Sequence, residues 1–264
     1  MLQALLSLLV FTAVLAAAPK VEIVAHRGAS HDAPENTLAS LKLAWVQKAD
    51  SSEFDVYLSK DGQIVVIHDA DTKRTAGLDK KVVDQTVEEL RRLDAGKWKG
   101  AKFAGEKIPT LTEMLAVVPI GKKVFVEVKC GPEIVPELNR VLKSSGLKPE
   151  QTPVISFNAK VVAAVKKIRP DLPAYWIVSL NRKGQKPPTA DELIAKSKEI
   201  AADGLDLSAV DLLDKPFAAK IKAAGLKLYV WTVDDLDVAR RMVEIGADGI
   251  TTNRPGWLRE KLTE

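Results

Sequence analysis

From residue 21 onward two hydrophobic periods alternate along the chain. Short apolar runs that stop at polar residues predict buried strands near residues 22–25, 53–56, 123–129, 153–157, 174–179, 204–207, 227–233 and 249–252. Between them, apolar residues recur at helical spacing over residues 35–48, 133–144, 159–168, 215–224 and 235–245, and Thr189 to Glu192 caps a further helix. Eight strands with intervening helices predict an α/β fold of the (β/α)8 TIM-barrel type, in one domain. A further apolar run at 64–67 follows the hairpin-type turn Asp61-Gly62.

Residues 70–119 break the rhythm. Thr86-Val87-Glu88-Glu89 is a capping-box signature opening a short helix through Leu93, and Thr110-Leu111-Thr112-Glu113 opens another. Gly and Lys residues occupy the link between them. The segment reads as a small insertion between barrel elements: two short helices and a mobile link.

The first 18 residues differ in kind. They carry no charged side chain, hold an apolar stretch from Leu5 to Leu15, and end in Ala16-Ala17-Ala18. This pattern predicts a signal peptide cleaved after Ala18, a mature chain of residues 19–264, and export to the periplasm or medium. An N-terminal membrane anchor is the alternative reading; no stable span is expected in the mature chain. A formal charge of +4, spread without any basic block, gives no support to nucleic-acid or membrane-surface binding. The single cysteine, Cys130, excludes an intramolecular disulfide.

The chemistry-bearing residues gather at predicted strand ends. All three histidines lie between residues 23 and 69, and the first strand stops at His26-Arg27-Gly28. Glu53 and Asp55, two apart on a strand, share one face with α-carbons roughly 7 Å apart. His68, Glu127 with Lys129, Phe157 and Trp231 also sit at or near strand ends, so a barrel would bring all of them to its carboxyl-terminal mouth. Glu53, Asp55 and Glu127 offer only oxygen donors, which favours one hard divalent cation, Mg2+ or Ca2+, over zinc. His26 and His68 suit acid–base work because imidazole titrates near neutrality. Arg27 and Lys129 are phosphate partners, or else neutralise the acids. Asn36 either donates to a phosphate or stabilises the start of the following helix. Phe157 and Trp231 are either core residues or walls of the site. His31 reads as a loop residue.

His26-Arg27-Gly28, Pro34-Glu35-Asn36-Thr37, Glu53-Phe54-Asp55 and His68-Asp69, in this order and spacing, resemble the glycerophosphodiester phosphodiesterase family. The resemblance runs through residues 21–258 and takes in Ile108-Pro109-Thr110-Leu111 and Gly246-Ala247-Asp248-Gly249-Ile250. It implies metal-dependent hydrolysis of a small-molecule glycerophosphodiester to glycerol 3-phosphate and an alcohol. His26 and His68 fall at the family's catalytic positions, Glu53, Asp55 and Glu127 at its metal positions, and Trp231 would line the alcohol portions. The insertion matches the family's small cap beside the site. Departures are Phe54 where Leu is usual, Asp234 where Asn is common, and Asn253 where Asp is frequent. A related phosphodiesterase acting on lysophospholipids and a non-catalytic exported binding module are the competing readings.

Overall fold

The computed structural model describes residues 21–181 and 183–264. The leader expected at residues 1–18 lies outside the described residues, and among those described no helix is long and apolar enough to cross a membrane. The strands in chain order are β1 (Glu22–Ala25), β2 (Ser51–Leu58), β3 (Ile64–Val66), β4 (Asp71–Thr72), β5 (Leu78–Lys81), β6 (Lys123–Val128), β7 (Val154–Ser156), β8 (Ala174–Val178), β9 (Gly204–Ser208), β10 (Lys227–Trp231) and β11 (Gly249–Thr252). Eight of them, β1, β2 and β6 to β11, run parallel in the order β1-β11-β10-β9-β8-β7-β6-β2, and β1 pairs with β2 to close the barrel. β3 folds back antiparallel on the long β2, as the Asp61-Gly62 turn predicts.

Period-two alternation sorts the side chains of each strand. In β9, Leu205 and Leu207 join the apolar layer between strands and helices, while the residue between them, Asp206, lines the cavity inside the barrel. The lower interior holds Val24, Phe125, Tyr175 and Tyr229; the two tyrosine rings stack at 5.3 Å. Room for that stack comes from Gly249, where an added Cβ would stand 2.4 Å from the Tyr229 ring. Lys123 and the Tyr229 hydroxyl both donate to Glu22, at 2.6 and 2.8 Å. The barrel is thus plugged below, and its open space lies at the carboxyl-terminal end.

Most helices match expectation: Val135–Ser144, Ala159–Ile168, Ala190–Glu199, Lys215–Ala223 and Leu236–Glu244. The first one does not. It runs Leu38–Val46, because Thr37 is its N-cap and forms a capping box with Ser40. Residues 35 and 36 therefore belong to the loop, and Asn36 adopts a left-handed φ of 59°. The strand expected over 227–233 ends at Trp231; Val233 donates across to the Thr251 carbonyl.

The insertion departs further from its reading. Its two capped helices are present at Val87–Arg92 and Leu111–Leu115. The link between elements is packed, with Val65, Ile67, Val82, Leu90 and Ile108 forming a small core, β4 and β5 a ribbon, and Asp94 accepting from the Gly96, Lys97 and Gly105 amides. Arg74 pairs with Glu35, and Lys99 donates to the Ser30 carbonyl, so the insertion is anchored on the loop that follows β1.

Candidate active site

The loop after β1 begins with two left-handed residues, Arg27 at φ 53° and Gly28 at φ 80°. A Cβ on Gly28 would lie 2.5 Å from the Ser40 backbone, so only glycine fits this turn. The turn points the Arg27 amide at Glu53, donating to Oε2 at 2.9 Å, and leaves the His26 and Arg27 side chains facing the mouth of the barrel. There a cavity of about 150 Å3 is lined by His26, Arg27, Glu53, His68, Glu127, Lys129, Phe157, Asp206 and Trp231, with Ile155 and Ile177 among the apolar walls.

Glu53, Asp55 and Glu127 stand together as the sequence predicts, each offering a carboxylate oxygen within 4.8 Å of the others. β2 and β6 pair in register, Asp55 opposite Glu127, which sets the spacing. Arg27 and Lys129 reach Asp55 at 3.3 Å each, and Lys129 reaches Glu127 at 2.7 Å. These two cations do not neutralise the cluster. Burial and the neighbouring Asp55 push Glu127 up to about 7, and burial with Asp55 and Glu127 pushes Glu53 well above the carboxylate range. Burial opposes ionisation of Asp55 too, but Lys129 and Arg27 outweigh it and hold that carboxyl below its ordinary value. Glu53 Oε1 is buried with no hydrogen-bond partner among the described residues. Three clustered carboxylates, two of them raised first by burial and then by their acidic neighbours, and one of those two with an oxygen that has no partner among the described residues, fit a hard divalent cation.

The two histidines have different backing. His26 Nδ1 lies 2.7 Å from Asn253 Oδ1, which also accepts from Ser30, while the Asn253 amide nitrogen donates to Asp234. That arrangement fixes the amide's orientation, so Nδ1 carries the proton and Nε2 keeps its lone pair. Burial first, then Arg27, pushes His26 down to about 4. His68 Nδ1 instead meets a carboxylate, Asp69 Oδ1, at 2.7 Å. Asp69 is held down to about 2, first by Arg74, which also grips Glu35, itself bonded to Arg27. A chain of alternating charge thus joins His68 to Arg27 through the insertion.

Asn36 is drawn away from the cavity. Its amide nitrogen donates to Asp55 Oδ2 at 2.8 Å and its oxygen accepts from the Asp55 backbone at 3.1 Å, so it braces a carboxylate and caps no helix. Phe157 and Trp231 meet edge to face at 5.4 Å on the rim, with Lys129 5.7 Å from the Phe157 ring. His31 pairs with Asp32 on the exposed loop.

Glu35, Asp69, Arg74, Asp234, Asn253 and Asp206 also belong to the site or its supports, and no role for them follows from the sequence pattern. Asp69 adjoins His68, and Asp206 is an acid amid the apolar run Leu205-Asp206-Leu207; both were visible signals. Asp234 and Asn253, two of the three departures from the family pattern, prove to be partners. Exchanging Asn and Asp between the two positions keeps one amide against one carboxylate behind His26.

The model of the glycerophosphoryl diester phosphodiesterase family matches residues 26–257. A glycerophosphodiester phosphodiesterase of Caldanaerobacter subterraneus subsp. tengcongensis is 38% identical over 246 residues, covering 90% of this chain and 96% of that protein. An Oleispira antarctica phosphodiesterase, solved in complex with the product sn-glycerol-3-phosphate, superposes with a TM-score of 0.84 at 31% identity, covering 92% of this chain and 97% of that one. A glycerophosphodiester phosphodiesterase structure from Agrobacterium tumefaciens gives a TM-score of 0.78 at 27% identity, over 91% of this chain and all of that one. Fold and site together define a hydrolase of phosphodiesters built on a TIM barrel. The chain belongs to the glycerophosphoryl diester phosphodiesterase family.

Proposed function

We propose that the protein hydrolyses glycerophosphodiesters to glycerol 3-phosphate and an alcohol, using His26 and His68 as base and acid. The observation that carries this reading is the unequal backing of the two imidazoles across one cavity that also holds Arg27, Lys129 and three clustered carboxylates. Its support from relatives is the product found in the Oleispira antarctica structure.

His26, neutral and with Nδ1–H donated to an amide oxygen, presents Nε2 to take the proton of the nucleophile. That nucleophile is either the glycerol 2-hydroxyl, whose attack gives a cyclic phosphate that water then opens to glycerol 3-phosphate, or water attacking directly. Asp69 behind His68 stabilises an imidazolium, which gives its proton to the departing alkoxide. Arg27 and Lys129 hold the phosphoryl oxygens and offset the charge that grows there. Glu53, Asp55 and Glu127 would hold Mg2+ or Ca2+, which supplies further charge stabilisation at the phosphoryl group. Phe157 and Trp231 wall the side where the variable alcohol leaves. The exported form, beginning after Ala18, is the one in which we place this chemistry.

The test is release of glycerol 3-phosphate from glycerophosphocholine by protein starting at Pro19, after chelation and then with Mg2+ or Ca2+ restored. Ion-dependent release is expected. Folded protein that releases none with either ion, yet cleaves lysophosphatidylcholine, would replace this substrate assignment with the lysophospholipid one.

A further inference from the structure

Asp206 lies in the middle of β9, and the strand's alternation turns it into the cavity between Ile177 and Trp231. It is 4% exposed, and among the described residues its carboxyl makes no hydrogen bond or ion pair; Oδ1 is buried without any partner. A buried carboxyl in that condition is costly, and native interiors rarely retain one without a task. Charge balance is not that task. Arg27 is engaged by Glu35 and Asp55, Lys129 by Glu127 and Asp55, and the charged group that acts on Asp206 is the like-signed Glu127. Nor does it brace its neighbour: Trp231 Nε1 donates to the Asp206 backbone carbonyl, at 3.1 Å, and leaves the side chain free.

The cavity therefore has two halves. One carries the histidines, the cations and the clustered acids. The other is largely apolar, formed by Ile155, Ile177 and Trp231 with Thr232 and Thr251 beside them, and holds one carboxyl without a partner among the described residues. A phosphate, being anionic, belongs to the first half. What satisfies the second is an uncharged group that donates hydrogen bonds, and a volume of about 150 Å3 leaves room beside a phosphate for a three-carbon polyol.

We propose that Asp206 is a specificity-determining residue whose carboxyl takes hydrogen bonds from the glycerol hydroxyls of the substrate. The inference rests on the reaction proposed above and names how this chain recognises the glycerol end. A site built around a buried polar group rejects an analogue that cannot satisfy it.

The experiment measures binding by calorimetry, with Mg2+ or Ca2+ present, of glycerol 3-phosphate and of n-propyl phosphate, which has the same carbon chain without hydroxyls. Wild-type protein is expected to prefer glycerol 3-phosphate by about 10-fold or more. Asp206→Leu should lose most of that preference through weaker glycerol 3-phosphate binding, with n-propyl phosphate changed by less than about 3-fold. Asp206→Asn, which still accepts a hydrogen bond, should retain much of it. Because Leu removes an unpartnered buried polar group, D206L should also melt no lower than wild type. An Asp206→Leu protein that folds and keeps the preference overturns the inference. So does equal weakening toward both ligands with a lowered melting temperature, the mark of a purely structural role. If D206L does not fold, an unaltered preference in Asp206→Ala overturns it equally. A wild-type protein that releases glycerol 3-phosphate from diesters yet shows no preference sinks this inference alone. Failure to bind either phosphate, or to turn over any glycerophosphodiester, sinks the proposed reaction as well.

Discussion

Asn253 and Asp234 divide the support of His26 between a neutral group in contact and a charged one behind it. The single change Asn253→Asp puts two carboxylates against each other and should lower kcat/KM by 10-fold or more, roughly the cost of one broken buried contact. Adding Asp234→Asn restores an amide–carboxylate pair, and activity should recover. In that double variant a carboxylate faces the ring and favours its protonated form, so the His26 pKa rises from its present value of about 4. A base must be deprotonated to act, so the acid limb of kcat/KM should move to higher pH, which a pH–rate profile reads directly. An unmoved limb would remove His26 from the role of base. At His68 the expectation is simpler: His68→Ala should cost roughly 10²–10⁴-fold in kcat with an unchanged circular-dichroism spectrum. Near-normal turnover in that variant would exclude its acid role.

At the scale of elements, the barrel places the site by strand register and closes underneath it by aromatic packing. Gly249 on β11 is the point where that packing is tightest, since its missing Cβ is the space the Tyr229 ring occupies. Gly249→Ala should destabilise by about 1–3 kcal/mol through overpacking, measured as a lower urea midpoint at unchanged slope. The kcat of the folded fraction should change little, because Tyr229 lies below the cavity and is absent from its lining. The insertion serves the site in another way. Through Arg74 it binds both Glu35 and Asp69, so one guanidinium steadies the loop carrying Arg27 and the carboxylate backing His68.

For the whole molecule, the raised carboxyls make stability, pH and cation binding one linked problem. Glu127 titrates at about 7 in the folded protein and near 4.5 otherwise, so it costs stability progressively as pH rises from about 4.5 to about 7. A divalent cation that takes the deprotonated form removes that cost. The rise in melting temperature on adding Mg2+ or Ca2+ should therefore grow as pH rises through about 7. Comparing increments at each pH cancels the opposite trend from His26, whose lowered pKa makes stability fall as pH drops from 6.5 towards 4. Glu127→Gln should flatten the increment. An increment independent of pH in the unsubstituted protein would separate Glu127 from the cation site.

The eight barrel strands, the helices between them and the gathering of His26, Glu53, Asp55, His68, Glu127, Lys129 and Trp231 at one mouth were legible in the chain itself. Period-two runs and capping boxes are local properties, and once strands are parallel their carboxyl ends must meet. The start of the first helix was misplaced because Asn36 is held by Asp55, 19 residues away, and not by its neighbours. The packed link in the insertion was missed because its core draws on Val65 and Ile67 from the preceding hairpin. Sequence by itself therefore determined the fold and which residue types reach the site. Tertiary structure alone decided which partner each one has: Asn253 for His26 across 227 positions, Glu35 for Arg74, and, among the described residues, none for the Asp206 carboxyl. The reason is that periodicity is set by neighbours along the chain, whereas the charge and hydrogen-bond state of a buried group is set by whatever folding brings within about 3 Å of it.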